Sequence, residues 1–417
     1  MAIVTEAPKA GFRLSMLIYD TRYRSITIQI VVLLLFMAGA AWLVDNTVRN
    51  LQALGKDFNF SFLWNRAGYD INQRLVEYTN DSTHGRALLI GLLNTLLVAA
   101  MGCVTATIIG VFVGVLRLSK NWLVARLMTV YVEVFRNVPV LLWILIIYAI
   151  FTEVMPAPNA FRGEAATSSM VLFDSFAFTN RYAAAPEPLF SRSLGNIDIG
   201  IFLISIDLLA IIAAITGGIL VNRAIKAHAT RVQEATGVRP VTWWKSLLVL
   251  FGPLLVVLFA LGFHLGYPEL RGFNFVGGTL ISNSLMALWL ALSVYTGAFI
   301  AEAVRAGILA ISHGQSEAAF ALGLRPGRTM NLVILPQALR VIIPPLISQY
   351  LNLTKNSSLA IAVGYLDLRG TLGGITLNQT GRELECVLLM MLIYLALSLL
   401  ISAAMNVYNN SVRLKER

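Results

Sequence analysis

The stretch with the most chemical information runs Ser312-His313-Gly314-Gln315-Ser316-Glu317-Ala318-Ala319-Phe320-Ala321-Leu322-Gly323-Leu324-Arg325-Pro326. Its residues write a capped helix rather than a catalytic centre. Ser312 and Gln315 are spaced as a capping box, in which each side chain satisfies an orphan backbone N–H of the first turn. Glu317 suits the positive end of the helix dipole, Gly323 suits the left-handed position past a helix end, and Pro326 discourages continuation. A short helix with alanines on one face lets another surface approach closely; taken alone it reads first as a connector, and the chemistry it offers beyond that is docking.

Charged residues within or beside apolar segments are the other candidates. Glu133 and Arg136 are three apart on one helix face, as are Glu302 and Arg305, and each pair can close locally. Lys355 follows Pro344 and Pro345 in an apolar stretch, where an ionisable group should face protein or a water-filled cavity; it stands either beside a translocation path or in an ion pair. Asp207 is the acidic residue well inside another apolar stretch, and a lone carboxylate there is expected to be capped by a hydroxyl of a neighbouring helix rather than to relay protons.

Other chemistries find no support. The chain has no G-x-x-x-x-G-K-[ST] loop for phosphates and no H-E-x-x-H for zinc, so ATP hydrolysis, if coupled, falls to a partner. His84, His228, His264 and His313 are scattered, and Cys103 and Cys386 suggest neither a disulfide framework nor a metal site. No cofactor is expected in the chain itself. A membrane-embedded enzyme would need clustered histidines or carboxylates, and none is evident.

The elements that must position these residues are read from composition. With 57% hydrophobic and 13% charged residues and a mean hydropathy of +0.72, the chain departs far from a soluble domain. Its apolar residues come in blocks of about 20, the length at which a helix crosses hydrocarbon. The fold class is therefore an all-α polytopic membrane protein of about eight spans: Ile26 to Val44, Leu88 to Leu116, Trp122 to Phe151, Ile199 to Val221, Ser246 to Leu265, Thr279 to Ile308, Leu339 to Gly364 and Glu385 to Val407. The first block is too long for a signal peptide's apolar region and reads as an uncleaved span, despite the small residues Ala38, Gly39 and Ala40.

The net charge of +10 is topological rather than a nucleic-acid footprint. Arg13, Arg22 and Arg24, then Arg117 and Lys120, Arg223, Lys226 and Arg231, Arg325 and Arg328, and Arg413, Lys415 and Arg417 all fall on one side of an even-span topology. That side is the cytoplasm, which places both termini inside. The long connections Asp45 to Ala87 and Thr152 to Asp198 then lie outside, the second turn-rich through Pro156, Pro158, Pro186 and Pro188.

Several motifs resemble one family. Glu317-Ala318-Ala319, Gly323 and Val333-Ile334-Leu335-Pro336 resemble the EAA loop of binding-protein-dependent ABC importers, with Val333 where the pattern usually has Ile. Val132-Glu133-Val134-Phe135-Arg136-Asn137-Val138-Pro139 is similar to the Glu-x-Phe-Arg-Gly-Thr-Pro segment of the polar amino acid branch, Asn137 and Val138 departing from Gly-Thr. Gly297 to Ile308, Gly314-Gln315 and Lys355-Asn356-Ser357-Ser358-Leu359 look like its other signatures. The resemblance covers Leu88 to Phe151 and Thr279 to about Met405, and within the branch the chain is similar to the larger permease subunit of the general L-amino-acid importers.

That resemblance implies a type I importer permease with an extra N-terminal span and two inserted spans. Residues 1–87 would form the N-terminal segment, first span and outer loop, 88–410 the permease domain with 155–278 as the insertion, and 411–417 a cytoplasmic tail. The EAA loop, with Gly314, Gln315, Glu317, Ala318, Ala319, Gly323, Leu335 and Pro336, would form a coupling helix seated in a partner ATPase that binds ATP and magnesium. Glu133, Arg136, Glu302, Arg305, Lys355 and Ser357 would serve gating or the path. Implied partners are a second, non-identical permease, two ATPase subunits and a periplasmic amino-acid-binding protein, in a bacterial inner membrane. The rival expectation is an ion-coupled secondary transporter using Asp207, Glu302 or Lys355.

Overall fold

A computed structural model describes residues 16–53, 55, 58–163, 167–200 and 203–412. The chain divides into two compact units, Met1–Phe62 and Leu63–Arg417. The basic residues Arg13, Arg413, Lys415 and Arg417 lie outside the described residues.

In the first unit, α1 (Thr21–Ala53) is a continuous helix of 33 residues. At 1.5 Å per residue it is about 50 Å long, more than the roughly 30 Å of hydrocarbon it must cross. Ala38, Gly39 and Ala40 lie within it, so no break marks the expected apolar run. The outer loop expected to end with this segment at residue 87 is divided, and residues beyond Leu63 pack in the second unit, where Ala67, Ile71 and Tyr78 share a cluster with Ala87 and Ile90.

The second unit is built on α2 (His84–Leu116), α3 (Trp122–Asn137), α4 (Val140–Ala149), α5 (Ile206–Thr236), α6 (Trp243–Ala260), α7 (Asn283–Leu309), α8 (His313–Ala321), α9 (Leu335–Asn356) and α10 (Glu383–Val412). The core lies where α2, α4, α7 and α9 meet, around Val98, Ile144, Leu288, Leu292, Ile342 and Leu353. Lipid gives no hydrophobic drive for helices to associate, so close approach through small residues must supply the contact energy. A Cβ on Gly110 would stand 2.5 Å from Ile300, and one on Gly114 would stand 2.7 Å from the Ala301 carbonyl. Glycine at these two positions lets α2 lie directly on α7.

The third expected span is broken. α3 and α4 are bent by 103° at Val138-Pro139, because Pro139 holds Val138 in an extended conformation and removes the N–H that a continuous helix needs. Pro344 and Pro345, in contrast, lie inside a continuous α9, and Pro336 occupies its first turn, where no N–H is required. The seventh span continues from α9 as a tighter helical segment, Ser357–Val363, closed by Gly364 at φ 70°.

The expectation of an irregular outer connection is corrected by short strands. β1 (Ala177–Phe178), β2 (Tyr182–Ala185) and β9 (Thr279–Ser282) form one antiparallel sheet, in which Tyr182 pairs with Ser282. β3 (Glu187–Phe190) pairs with β6 (Phe263–Gly266), β4 (Asn196–Asp198) with β5 (Leu203–Ser205), and β7 (Glu269–Arg271) with β8 (Asn274–Val276). The fourth, fifth and sixth spans consequently start or end several residues later or earlier than the apolar runs. β9 leads straight into α7, whose N-terminus Ser282 Oγ caps by accepting from the Leu285 N–H at 3.3 Å. The inserted α5 and α6 pack on each other, with Gly218 under the Val249 carbonyl, where a Cβ would come within 2.7 Å.

If the α2–α7 contact holds the unit together, Gly114→Ala lowers the thermal midpoint of the solubilised chain by an amount corresponding to about 1–3 kcal/mol. Gly217→Ala, on α5 with nothing within 4 Å, leaves it unchanged or slightly raised. Fluorescence-detected thermal unfolding of both variants measures the difference.

Candidate functional site

Two groupings read from the sequence, and a third that it did not reveal, lie in the second unit. The first is α8, which follows α7 after three residues and precedes α9. Ser312 sits at its N-cap position, but the expected capping box does not form: no side-chain hydrogen bond caps this end, and Gln315 Oε1 instead accepts from Gln337 Nε2 at 3.3 Å. The other end matches expectation. Gly323 has φ 74°, its N–H donates to the Phe320 carbonyl, and the Leu324 N–H donates to the Ala319 carbonyl, the paired closure of a Schellman motif.

The two alanines of the loop face opposite ways. Ala319 is buried against the chain's own helices, while Gly314, Gln315, Glu317 and Ala318 are exposed. Phe320 and Leu322 beside them are exposed by 49% and 82%, leaving an apolar edge next to a carboxylate. Leu335 and Pro336 begin α9 just after the helical segment Met330–Ile334, where the chain returns from the loop.

The second grouping is ionic. Glu302 on α7 accepts from Arg305 at 2.7 Å and from Arg117, with Arg136 at 3.8 Å. The expected Glu302–Arg305 pair is thus present inside a larger cluster. The expected Glu133–Arg136 pair is not: Arg136 turns towards Glu302 and lies 5.2 Å over the Phe299 ring, and Glu133 accepts from Asn137 at 3.2 Å. Arg117, counted in the sequence only for topology, has a side chain just 8% exposed. Its partner lies 185 residues away, and no local spacing could announce the pair.

The third grouping is a cavity of about 190 Å³ between α7 and α9, lined by Tyr295, Thr296, Phe299, Gln349, Asn352 and Asn356. Its polar groups are amides and hydroxyls. Lys355 is exposed beside it and makes no ion pair among the described residues, so the bundle-holding pair is absent. Ser357 is buried, its Oγ donating to the Thr354 carbonyl at 2.8 Å, a local closure of the helix end.

Asp207 carries the expected hydroxyl cap but is corrected in position. It stands in the first turn of α5, where its carboxylate accepts from Ser193 Oγ at 2.6 Å and the Leu194 N–H at 2.8 Å. The hydroxyl that caps it comes from the preceding loop, not from a neighbouring helix, and it fixes the strand-to-helix turn. No group of three or more metal-ligating side chains occurs among the described residues.

A carboxylate that the sequence reading missed is Asp367. It is fully buried, its Oδ1 accepting from the Gly370 N–H at 2.9 Å and its Oδ2 from the Tyr394 hydroxyl at 3.3 Å. Around it, the Leu368 N–H donates to Thr95 Oγ1 and Asn94 Nδ2 donates to the Leu366 carbonyl, so Asp367 sits at a junction of α2 and α10. Burial pushes its carboxyl up to about 7, which the hydrogen bonds from Gly370 and Tyr394 only partly oppose.

Comparison with known proteins places the chain in a family. The family of binding-protein-dependent transport system inner membrane components matches residues 208–414. A glutamate/glutamine/aspartate/asparagine transport system permease protein of Rhodobacter capsulatus is 64% identical over the whole of both chains. The chain belongs to the amino acid ABC transporter permease family. A general L-amino acid transport system permease protein of Rhizobium johnstonii is 46% identical, over 98% of this chain and 96% of that one. A solved amino acid ABC transporter with histidines aligns with 79% of this permease and 95% of its own chain, at 16% identity and a TM-score of 0.44. As a member of this family the chain is a non-enzymatic permease subunit, and ATP hydrolysis resides in a separate subunit. The ion-coupled alternative finds no support.

Two outcomes follow from the charged groups. Glu302→Gln leaves Arg117 buried without its counter-charge and lowers stability by roughly 3 kcal/mol, and the double variant with Arg117→Met recovers part of that loss, read by denaturant-free thermal unfolding. For Asp367 the folded pKa is raised from 3.8 to about 7, so its contribution favours the fold at acid pH and is lost as pH rises through about 7. Wild type therefore loses stability on going from pH 5 to pH 8, by on the order of a few kcal/mol, and Asp367→Asn flattens that slope.

Proposed function

We propose that this permease carries acidic and amide L-amino acids, in the manner named for its Rhodobacter capsulatus relative, through the cavity between α7 and α9. The observation that carries the reading is the placement of α8. It projects an exposed surface of Glu317, Ala318, Phe320 and Leu322 from the short connection between the two helices that line that cavity. A partner ATPase seated on α8 acts directly on both walls. Gln349, Asn352 and Asn356 supply neutral hydrogen-bonding groups that suit a zwitterion without holding it too tightly to leave.

In this reading Glu317 orients the ATPase cleft, Ala318 permits close approach and Gly323 fixes where the helix ends. The working assembly holds this chain, a related but non-identical permease, two ATPase subunits and a periplasmic binding protein, in a bacterial inner membrane with both termini cytoplasmic. ATP and magnesium belong to the ATPase. Residues 1–87, 88–410 and 411–417 divide the chain as leader span, permease domain and tail, and the insertion 155–278 faces the periplasm through its short strands.

Gly323→Pro removes both the left-handed residue and the N–H given to Phe320, and Glu317→Ala removes the carboxylate alone. In proteoliposomes containing the whole assembly, substrate-stimulated ATP hydrolysis and glutamine uptake fall by about tenfold or more for the first and less for the second. Uptake that persists in both variants, or that needs an ion gradient and no ATP, overturns the coupling assignment.

A further inference from the structure

Tyr295, Phe299 and Glu302 are spaced four and three residues apart on α7 and therefore share one helix face. The amide-lined cavity occupies the upper part of that face, and the arginine cluster lies one turn further towards α8. Phe299 belongs to both. It lines the cavity, and its ring carries the Arg136 guanidinium at 5.2 Å.

The cluster is unbalanced. Glu302 is the single carboxylate facing the guanidinium groups of Arg117, Arg136 and Arg305, so three positive charges meet one negative charge and two remain. Arg117 and Arg305 already hydrogen-bond to Glu302, and each occupies one of its oxygens. Arg136 does not: its nearest η nitrogen is 3.8 Å away, beyond the 3.2 Å or so of a hydrogen bond. Its Nε is buried with no acceptor, as are the Nε atoms of Arg117 and Arg305. A guanidinium stacked on an aromatic ring with its donors unfilled is preorganised for a planar, bidentate acceptor, and a carboxylate is such an acceptor.

We propose that Arg136 is a carboxylate-binding residue of the transport path, taking the α-carboxylate of an amino acid as it leaves the cavity on the α8 side. The inference rests on the reading that this chain moves amino acids. Arg117, Glu302 and Arg305 form the fixed part of the station. They hold the charge balance and keep Glu302 from closing on Arg136, so the incoming carboxylate meets a guanidinium that is charged and not yet bonded. Neutral amides above and a guanidinium below place two sites for a carboxylate-bearing molecule along the same face.

The test compares L-glutamine with 4-aminobutanamide, the same molecule without its α-carboxylate, as ligands of the purified permease–ATPase complex free of binding protein. Wild type prefers L-glutamine by roughly ten- to a hundredfold, the size of a charge-assisted hydrogen-bonded pair. Arg136→Gln brings that ratio close to one, and Arg136→Lys, which keeps the charge but not the fork, gives an intermediate ratio. A residue that merely supported the fold would weaken both ligands alike, so an unchanged ratio in Arg136→Gln overturns the proposal. If Arg136→Gln does not assemble, the ratio in Arg136→Lys decides in the same way. A wild-type assembly that, with its binding protein, takes up no amino acid overturns the underlying transport reading instead, whereas normal wild-type uptake with an unchanged ratio overturns the Arg136 assignment alone.

Discussion

The close contact of α2 with α7 is the constraint on which the rest of the structure depends. In a bilayer, burying apolar side chains between helices gains little over leaving them in lipid, so the backbones themselves must come near. Gly110 and Gly114 on one helix, facing Gly297, Ile300 and Ala301 on the other, make this possible. Once the helices are that close, the end of α2 is level with Glu302, and the largely buried side chain of Arg117 reaches it. The cavity follows from the same contact. With one face of α7 filled by α2, the face bearing Tyr295 and Phe299 is left to α9.

The ionic cluster shows why so little charge suffices inside such a unit. A buried guanidinium is tolerated only with a hydrogen-bonded counter-charge, and Glu302 provides one for Arg117 while sharing its second oxygen with Arg305. The third guanidinium, of Arg136, stops 3.8 Å from Glu302, and the Phe299 ring supports it through its π face. The asymmetry between two satisfied arginines and one held by an aromatic ring is a property of the packing. Arg136 stands in the last turn of α3, just before the 103° bend into α4, and from there it reaches the α7 face.

What could be read in the sequence was whatever is local. Apolar blocks of about 20 residues located the helices, Gly323 and Pro326 located the end of α8, and the spacing of Glu302 and Arg305 gave their pair. Pro139 carried a signal for the bend that the continuous hydrophobicity of the flanking residues outweighed. The strands escaped because at two to four residues they show no alternation, and several are continuous in composition with the helices they join, as Thr279–Ser282 is with α7. Arg117 and Asp367 escaped for a different reason. Their partners are 185 and 27 residues away, brought near only by helix packing, and no periodicity encodes that. The capping box failed because Gln315 found a competing partner in Gln337, a contact that exists only once α9 has folded back.

That last contact bears on how force could pass through the subunit. α8 is joined to α7 through three residues and to α9 both by the chain and by the Gln315–Gln337 hydrogen bond, so a displacement of α8 is passed to the helices of both cavity walls. A helix tied to both walls converts a displacement at the ATPase into a change in cavity width. It needs no conducted signal through the bundle, only two stable packings of α7 against α9. A ligand can favour one packing over the other only through contacts that differ between them. Groups that lie on one wall alone, such as the amides of α9, bind equally well in both. Arg136 is on neither wall: it comes from α3 and reaches the α7 face across Phe299, so its distance to a ligand held by α9 changes whenever the walls separate. In the proposed station, the guanidinium that does not hydrogen-bond to Glu302 is therefore also the one whose reach to substrate varies with the state of the subunit.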